Sequence, residues 1–221
     1  MFSEIDKTIF TNSCEVLEIV PSQHYVFPIF KCGSSSLHDT APIKNWKAIV
    51  DEDIKNITAP ITVFLRDPKK RFISGVNTYL IQTKRQFPLL DENTILWFVD
   101  NYLFLNRHYC PQFFWLLNLS KYTNPEVKLQ LCSYKNIAEL TDINSDAGIP
   151  KPTDKFLEQI QQFNWKSLEL YFFLDQILTD RIGQEFTVRE LVDIVYREYP
   201  EVYRLVFEPT IKLSKNVLPS T

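Results

Sequence analysis

Two short segments carry residue types, at a spacing, that suit the binding of a phosphate-like anion. The first is Lys31-Cys32-Gly33-Ser34-Ser35-Ser36. Gly33 lets the backbone turn tightly, successive amides in such a turn form an anion nest, and the three hydroxyls add donors. Lys31 brings a mobile positive charge beside the cradled group. The second is Arg66-Asp67-Pro68-Lys69-Lys70-Arg71-Phe72-Ile73-Ser74, in which a guanidinium fork is followed eight residues later by a hydroxyl. That pair suits a terminal phosphate dianion. Neither segment is a Walker A loop, because GxxxxGK[ST] is absent and the lysine precedes the glycine, so an ordinary NTPase or kinase is disfavoured. Each also has a plainer reading. KCGSSS can be a serine-rich helix cap, and RDP a strand-to-helix turn with a local Asp–Arg pair.

The elements that must position these residues are legible around them. His24 to Phe30 has the length and apolar character of a buried strand, with Pro28 arguing for an edge position or an irregular end. Pro60 to Leu65 is a cleaner strand that ends at RDP, and Pro68 is well placed to open a helix over Lys69 to Thr83. Val127 to Cys132 is a third strand, ending at Tyr134. Helical stretches are expected over Asn93 to Leu119, Trp165 to Leu178 and Val188 to Tyr199, with everything after Asp154 helical. Strands alternating with helices predict a three-layer α/β fold with a mainly parallel sheet. The expected organisation is one domain, residues 1–221, with an α/β core at about 24–140 and a helical C-terminal part at about 154–207. In such folds ligands lie beyond the carboxyl ends of the strands, and both segments fall at strand ends.

Composition narrows the class. The chain has 221 residues, 45% hydrophobic and 23% charged, enough to build a real core. Its formal charge of −3 argues against a nucleic-acid protein held by a broad basic surface. No apolar run approaches a membrane span and MFSEIDKTIF is not a signal peptide, so a soluble, cytoplasmic protein is expected. Cys14, Cys32, Cys110 and Cys132 lack CxxC spacing, which supports neither a zinc site nor a disulfide framework. Reduced, mostly buried thiols are the expectation.

Together the two segments resemble the nucleotide-binding motifs of sulfotransferases that use 3′-phosphoadenosine 5′-phosphosulfate (PAPS). The resemblance implies that Lys31 and Cys32 to Ser36 hold the 5′-phosphosulfate, and that Arg66 and Ser74 hold the 3′-phosphate. Tyr134, in Ser133-Tyr134-Lys135-Asn136-Ile137-Ala138-Glu139-Leu140, is similar to the family's Y-E-D-L stretch, with lysine in place of the usual acid. Two further segments resemble the carbohydrate branch. Asn106-Arg107-His108-Tyr109-Cys110-Pro111-Gln112 is similar to H-W-x-P-Q, and Val195 to Leu205 to a C-terminal Y-x-x-D-Y-x-x-F helix, with Pro200 a departure.

The resemblance implies sulfuryl transfer from PAPS, as co-substrate, to an acceptor hydroxyl on a saccharide or small molecule. No metal is implied, since lysine and loop amides supply the electrostatics. His108 is the first candidate for the general base, with Glu52 and Asp53, beside Asp51, as the alternative. Their plainer readings are a histidine packed among Phe104, Tyr109 and Phe113, and a solvated acidic turn. His38 and His24 read as surface and structural residues. Lys69, Lys70, Arg71, Lys84 and Arg85 read either as a solvated helix face or as the border of an acceptor cleft, with Trp97, Tyr102 and Tyr109 stacking on sugar rings. Two other classes stay open: a non-catalytic PAPS-binding module, and a helical interaction protein presenting Ile95 to Leu117. Oligomeric state is not legible.

Overall fold

A computed structural model describes residues 14–20, 22–83, 110–141, 169–198 and 200. One six-stranded sheet organises them. Its strands are β1 (Glu15–Ile19), β2 (His24–Phe27), β3 (Lys47–Val50), β4 (Ile61–Leu65), β5 (Lys128–Ser133) and β6 (Glu185–Thr187), in the spatial order β3-β1-β2-β4-β5-β6. The helices are α1 (Ser34–Ile43), α2 (Pro68–Thr83), α3 (Gln112–Leu119), α4 (Ile137–Thr141), α5 (Glu169–Thr179) and α6 (Val188–Glu198).

β4 is the central element because its sequence, ITVFL, is β-branched or aromatic at four of five positions and every residue is buried. It pairs in parallel with β2 on one side (Val26↔Thr62) and with β5 on the other (Val63↔Leu131). Alternate residues feed two apolar clusters, one on each face. Val16, Phe27, Ile61, Val63, Leu65, Leu129 and Leu131 join Phe113, Phe114 and Leu117 of α3 and Leu191 and Val195 of α6. Leu17, Val26 and Phe64 face the other way, against Leu37 and Ala41 of α1 and Ile137 of α4. Burying a side chain such as Phe113 or Leu117 contributes about 1.5–3 kcal/mol.

The α/β class and the three parallel strands match the reading of the sequence; the sheet as a whole does not. Three of its pairings, β1–β2, β1–β3 and β5–β6, are antiparallel, so it is not mainly parallel. The added strands are only three to five residues long, and β3 reads KAIV with three exposed positions, too little alternation to betray a strand. β6 also interrupts the stretch expected to be wholly helical. The sheet excludes the purely helical alternative.

Local chemistry explains the helix boundaries near the strand ends. Asp67 begins α2 by accepting the Lys70 amide at 2.9 Å through Oδ1, and Pro68 occupies the first helical position. Pro28 ends β2, an interior strand, rather than marking an edge. At the other end of the chain, Thr187 and Glu190 form a capping box: the Thr187 amide donates to Glu190 Oε2 at 2.6 Å, and the Glu190 amide donates to Thr187 Oγ1 at 3.1 Å. Val188, Leu191 and Val195 then form the buried stripe of α6. Cys14, Cys32 and Cys110 are buried, Cys132 is half-buried, and all four are free thiols.

Candidate functional site

Beyond the carboxyl ends of β2, β4 and β5, the chain gathers Lys31, Gly33, Arg66 and Tyr134. After β2 the backbone of Lys31 adopts φ 66°, in the left-handed region, and Gly33 follows at φ 85° as the residue that opens α1. Gly33 offers no side-chain cap and no acid occupies the first turn of α1, so the helix start at Ser34 to Ser36 keeps its positive character. The serines thus lie inside the helix rather than capping it. Ser34 and Ser36 are buried, and Ser35 is the exposed hydroxyl.

Two guanidiniums pin this turn. Arg66 Nη1 donates to the Lys31 carbonyl at 3.3 Å, and Arg71 Nε donates to the Phe30 carbonyl at 3.0 Å. Arg71 also donates through Nη1 to the Cys110 carbonyl. Arg66 lies over the Tyr134 ring, 4.9 Å from its centroid, a cation–π contact that orients the fork. Its Nε is buried and has no hydrogen-bond partner among the described residues, and neither has Nη2 of Arg71. Because Asp67 is engaged with α2, the expected Asp–Arg pair does not form, and Arg66 meets no carboxylate among the described residues.

The result is a cluster of three cations, Lys31, Arg66 and Arg71, with one buried carboxylate nearby, Asp175. Burial, then Arg66 and Arg71, push the Lys31 pKa down. Burial pushes the Asp175 carboxyl up, against the opposing pull of Arg71 and of three hydrogen-bonding groups on Gln112 and Phe113. An anion beside Lys31 would relieve the repulsion that Arg66 and Arg71 exert on it.

Arg71, Gln112 and Asp175 stand at the site although the sequence reading assigned none of them a role there; Arg71 and Gln112 are read only as parts of the Arg66–Ser74 and H-W-x-P-Q-like segments, and Asp175 is not singled out. Arg71 was grouped with a basic helix face, but it is 1% exposed, while Lys69 and Lys70 do face solvent. Gln112 is wholly buried at the start of α3, which Trp115 packs against β2 and its turn by stacking on Phe30 (5.2 Å) and meeting Phe27 edge-on (6.4 Å). Ser74 is buried on α2, one turn beyond Arg71. His108, Lys84, Arg85, Trp97, Tyr102 and Tyr109 lie outside the described residues.

The acidic turn ends β3 and is separated from the β2 end by β1, roughly 10 Å by strand spacing. Asp51 accepts the Cys14 amide at 2.8 Å, and Glu52 pairs with Lys55 at 2.8 Å. That pairing holds the exposed Glu52 carboxyl below its usual range, which makes it a weaker base. His24 shares a 2.8 Å hydrogen bond with Thr62 Oγ1, and His38 pairs with Glu15 on the surface of α1. A separate cleft of about 480 Å³ lies between α5, β6 and α6, lined by Ile177, Arg181, Phe186, Glu190 and Arg197 among others, and no site residue named from the sequence borders it. Among the described residues no cluster of His, Cys, Asp or Glu could hold a metal ion, and no helix is long and apolar enough to cross a membrane.

Gly33 gives the site its first test. Besides its positive φ, a Cβ there would collide with Cδ1 of Ile137, a buried member of the α1–α4 cluster that would have to shift to admit it. Gly33→Ala is therefore expected to destabilise the protein by about 2 kcal/mol, roughly 4–8 °C in Tm. An unchanged thermal melt would contradict the strained turn described above. No protein-family model, curated protein or solved structure matches this chain.

Proposed function

We propose that the chain is a sulfotransferase that moves the sulfuryl group of PAPS to a hydroxyl, with a saccharide as the favoured acceptor. The observation that carries the reading is the meeting of Lys31, the Gly33 turn, Arg66 and Tyr134 at the ends of three neighbouring parallel strands. Those are the positions whose residue types resemble the family's nucleotide motifs. On this reading β2, the Lys31 turn and α1 act as a P-loop-like unit for the 5′-phosphosulfate. Arg66, with Ser74, takes the 3′-phosphate; Nε of Arg66 has no hydrogen-bond partner among the described residues.

The reaction is an in-line displacement. The acceptor oxygen forms a bond to sulfur while the bond from sulfur to the 5′-phosphate oxygen breaks. The electron pair leaves with adenosine 3′,5′-bisphosphate, and the hydroxyl proton passes to a base, for which His108 is the first candidate. Lys31 neutralises the charge that grows on the leaving oxygen, and amides at the start of α1 stabilise the sulfuryl oxygens. Stacking on aromatic rings is the basis for preferring a saccharide over a phenol or a peptide tyrosine.

Arg66→Ala is expected to weaken adenosine 3′,5′-bisphosphate about 10–100-fold while changing AMP, which has no 3′-phosphate, by only a few fold. Ser74→Ala should show the same selectivity with a smaller loss. Titration calorimetry reads both, and equal losses for the two nucleotides would remove Arg66 from the 3′-phosphate. Radiolabel transfer from PAPS to saccharide, phenol and tyrosine-peptide acceptors then separates an enzyme from a module that only binds.

A further inference from the structure

Gln112 uses its whole hydrogen-bonding capacity, three bonds to the two anion-binding segments and one to Asp175. Its Oε1 accepts from the Arg66 amide at 2.9 Å and from Cys32 Sγ at 2.9 Å. Its Nε2 donates to the Arg66 carbonyl at 2.9 Å and to Asp175 Oδ2 at 3.2 Å. A carboxamide offers two acceptor sites and two N–H donors, and here all four are occupied, so the amide can face only one way. The Cys32 thiol is a dependable donor because burial pushes its pKa up to about 11. Gln112 thus pairs with Arg66 as a neighbouring strand would, taking both of its main-chain groups just where β4 ends.

Asp175 secures the other side. Its Oδ1 accepts the Phe113 amide at 2.9 Å, so a carboxylate from α5 caps α3, whose own preceding residue, Pro111, supplies no side-chain cap. Asp175 and Gln112 are 3% and 0% exposed, so water cannot replace these bonds. The helical C-terminal part is thereby connected through Asp175 and Gln112 to Arg66 and Cys32.

We propose that Gln112, held by Asp175, is a positioning residue that sets the register of Arg66 and Cys32 and so creates the preference for a 3′-phosphorylated nucleotide. The inference rests on the functional reading above, since it concerns how Arg66 meets the 3′-phosphate. Gln112→Met keeps the volume and removes all four bonds, leaving both main-chain groups of Arg66 without Gln112. A role confined to stability would weaken the bisphosphate and AMP equally, whereas positioning of Arg66 weakens the bisphosphate more than AMP, beyond any loss through Cys32 that the two nucleotides share.

The test is calorimetric titration of the full chain with adenosine 3′,5′-bisphosphate and with AMP, for wild type, Gln112→Met, Arg66→Ala and the double variant. The wild type should prefer the bisphosphate, and Gln112→Met should cut that preference about tenfold. The double variant should lose no more of it than Arg66→Ala does, because one change acts through the other. Should Gln112→Met not fold, Asp175→Asn decides: it removes one of the two oxygens that accept Gln112 Nε2 and the Phe113 amide, and should cut the preference several-fold. Full preference retained by the folded variants overturns the positioning role and leaves the nucleotide reading intact. A wild type without preference overturns both.

Discussion

Lys31→Ala is expected to lower sulfuryl transfer by about 10²–10³ while the melting temperature stays within a few degrees of wild type. Lys31 is half-buried at a turn rather than in either apolar cluster, so truncation removes little packing. The methyl side chain of alanine does not relieve the left-handed backbone, since alanine meets the same steric resistance as lysine at φ 66°. The carbonyl that accepts from Arg66 belongs to the main chain and survives the substitution. The lost group is thus the ammonium alone, whose pKa burial, Arg66 and Arg71 have already pushed down. An ammonium held in such a field gains most when negative charge develops beside it, as on a leaving phosphate oxygen. Retention of more than half the wild-type turnover would remove Lys31 from the chemistry.

His108→Ala is the second large effect, with turnover falling by ~10²–10⁴, the range for loss of a general base, and bisphosphate affinity nearly unchanged. The comparison variants are Glu52→Gln and Asp53→Asn. Glu52 is exposed and paired with Lys55, which lowers its proton affinity, and its turn lies beyond β1 from the Lys31 loop. These features favour His108 as the proton acceptor. Steady-state rates with PAPS and a saccharide acceptor decide between them. Full activity in His108→Ala, with loss in Glu52→Gln or Asp53→Asn, would move the acceptor cleft to the β3 side of the sheet.

What the sequence made legible follows from range. β4 and the start of α2 announce themselves through neighbouring residues: a β-branched run, then Asp67 and Pro68 as helix-starting chemistry. The Lys31 to Ser36 turn is local too, because glycine and serine carry conformational information of their own. Gln112 and Asp175 carry none. Their roles come from contacts across 46 residues to Arg66 and 63 residues to each other, which only the folded sheet brings about. Arg71 misled for a related reason. Flanked by Lys69 and Lys70 it reads as surface charge, yet the turn of α2 carries it inward to the Phe30 carbonyl. The antiparallel strands escaped because β1 and β3 are short, the β1–β2 turn holds no hairpin signal such as Asn-Gly, and β3 returns to β1 only after β2 and α1.

The electrostatic side of the site makes one demand on any ligand. With Arg66 and Arg71 both acting on Lys31, and with burial opposing the ionisation of Asp175, the proposed site favours a guest with more than one negative group. On the proposed reading, a mononucleotide with phosphate only at the 5′ position would meet the helix start of α1 and leave Arg66 without its anion. Titration of the wild-type chain with adenosine 3′,5′-bisphosphate and with AMP, in the same buffer and at the same ionic strength, is therefore the most direct measurement. The account predicts that the bisphosphate binds about 10–100-fold more tightly, in keeping with one charge-assisted guanidinium–phosphate contact. Equal affinity for the two nucleotides, or no binding of either, would contradict it.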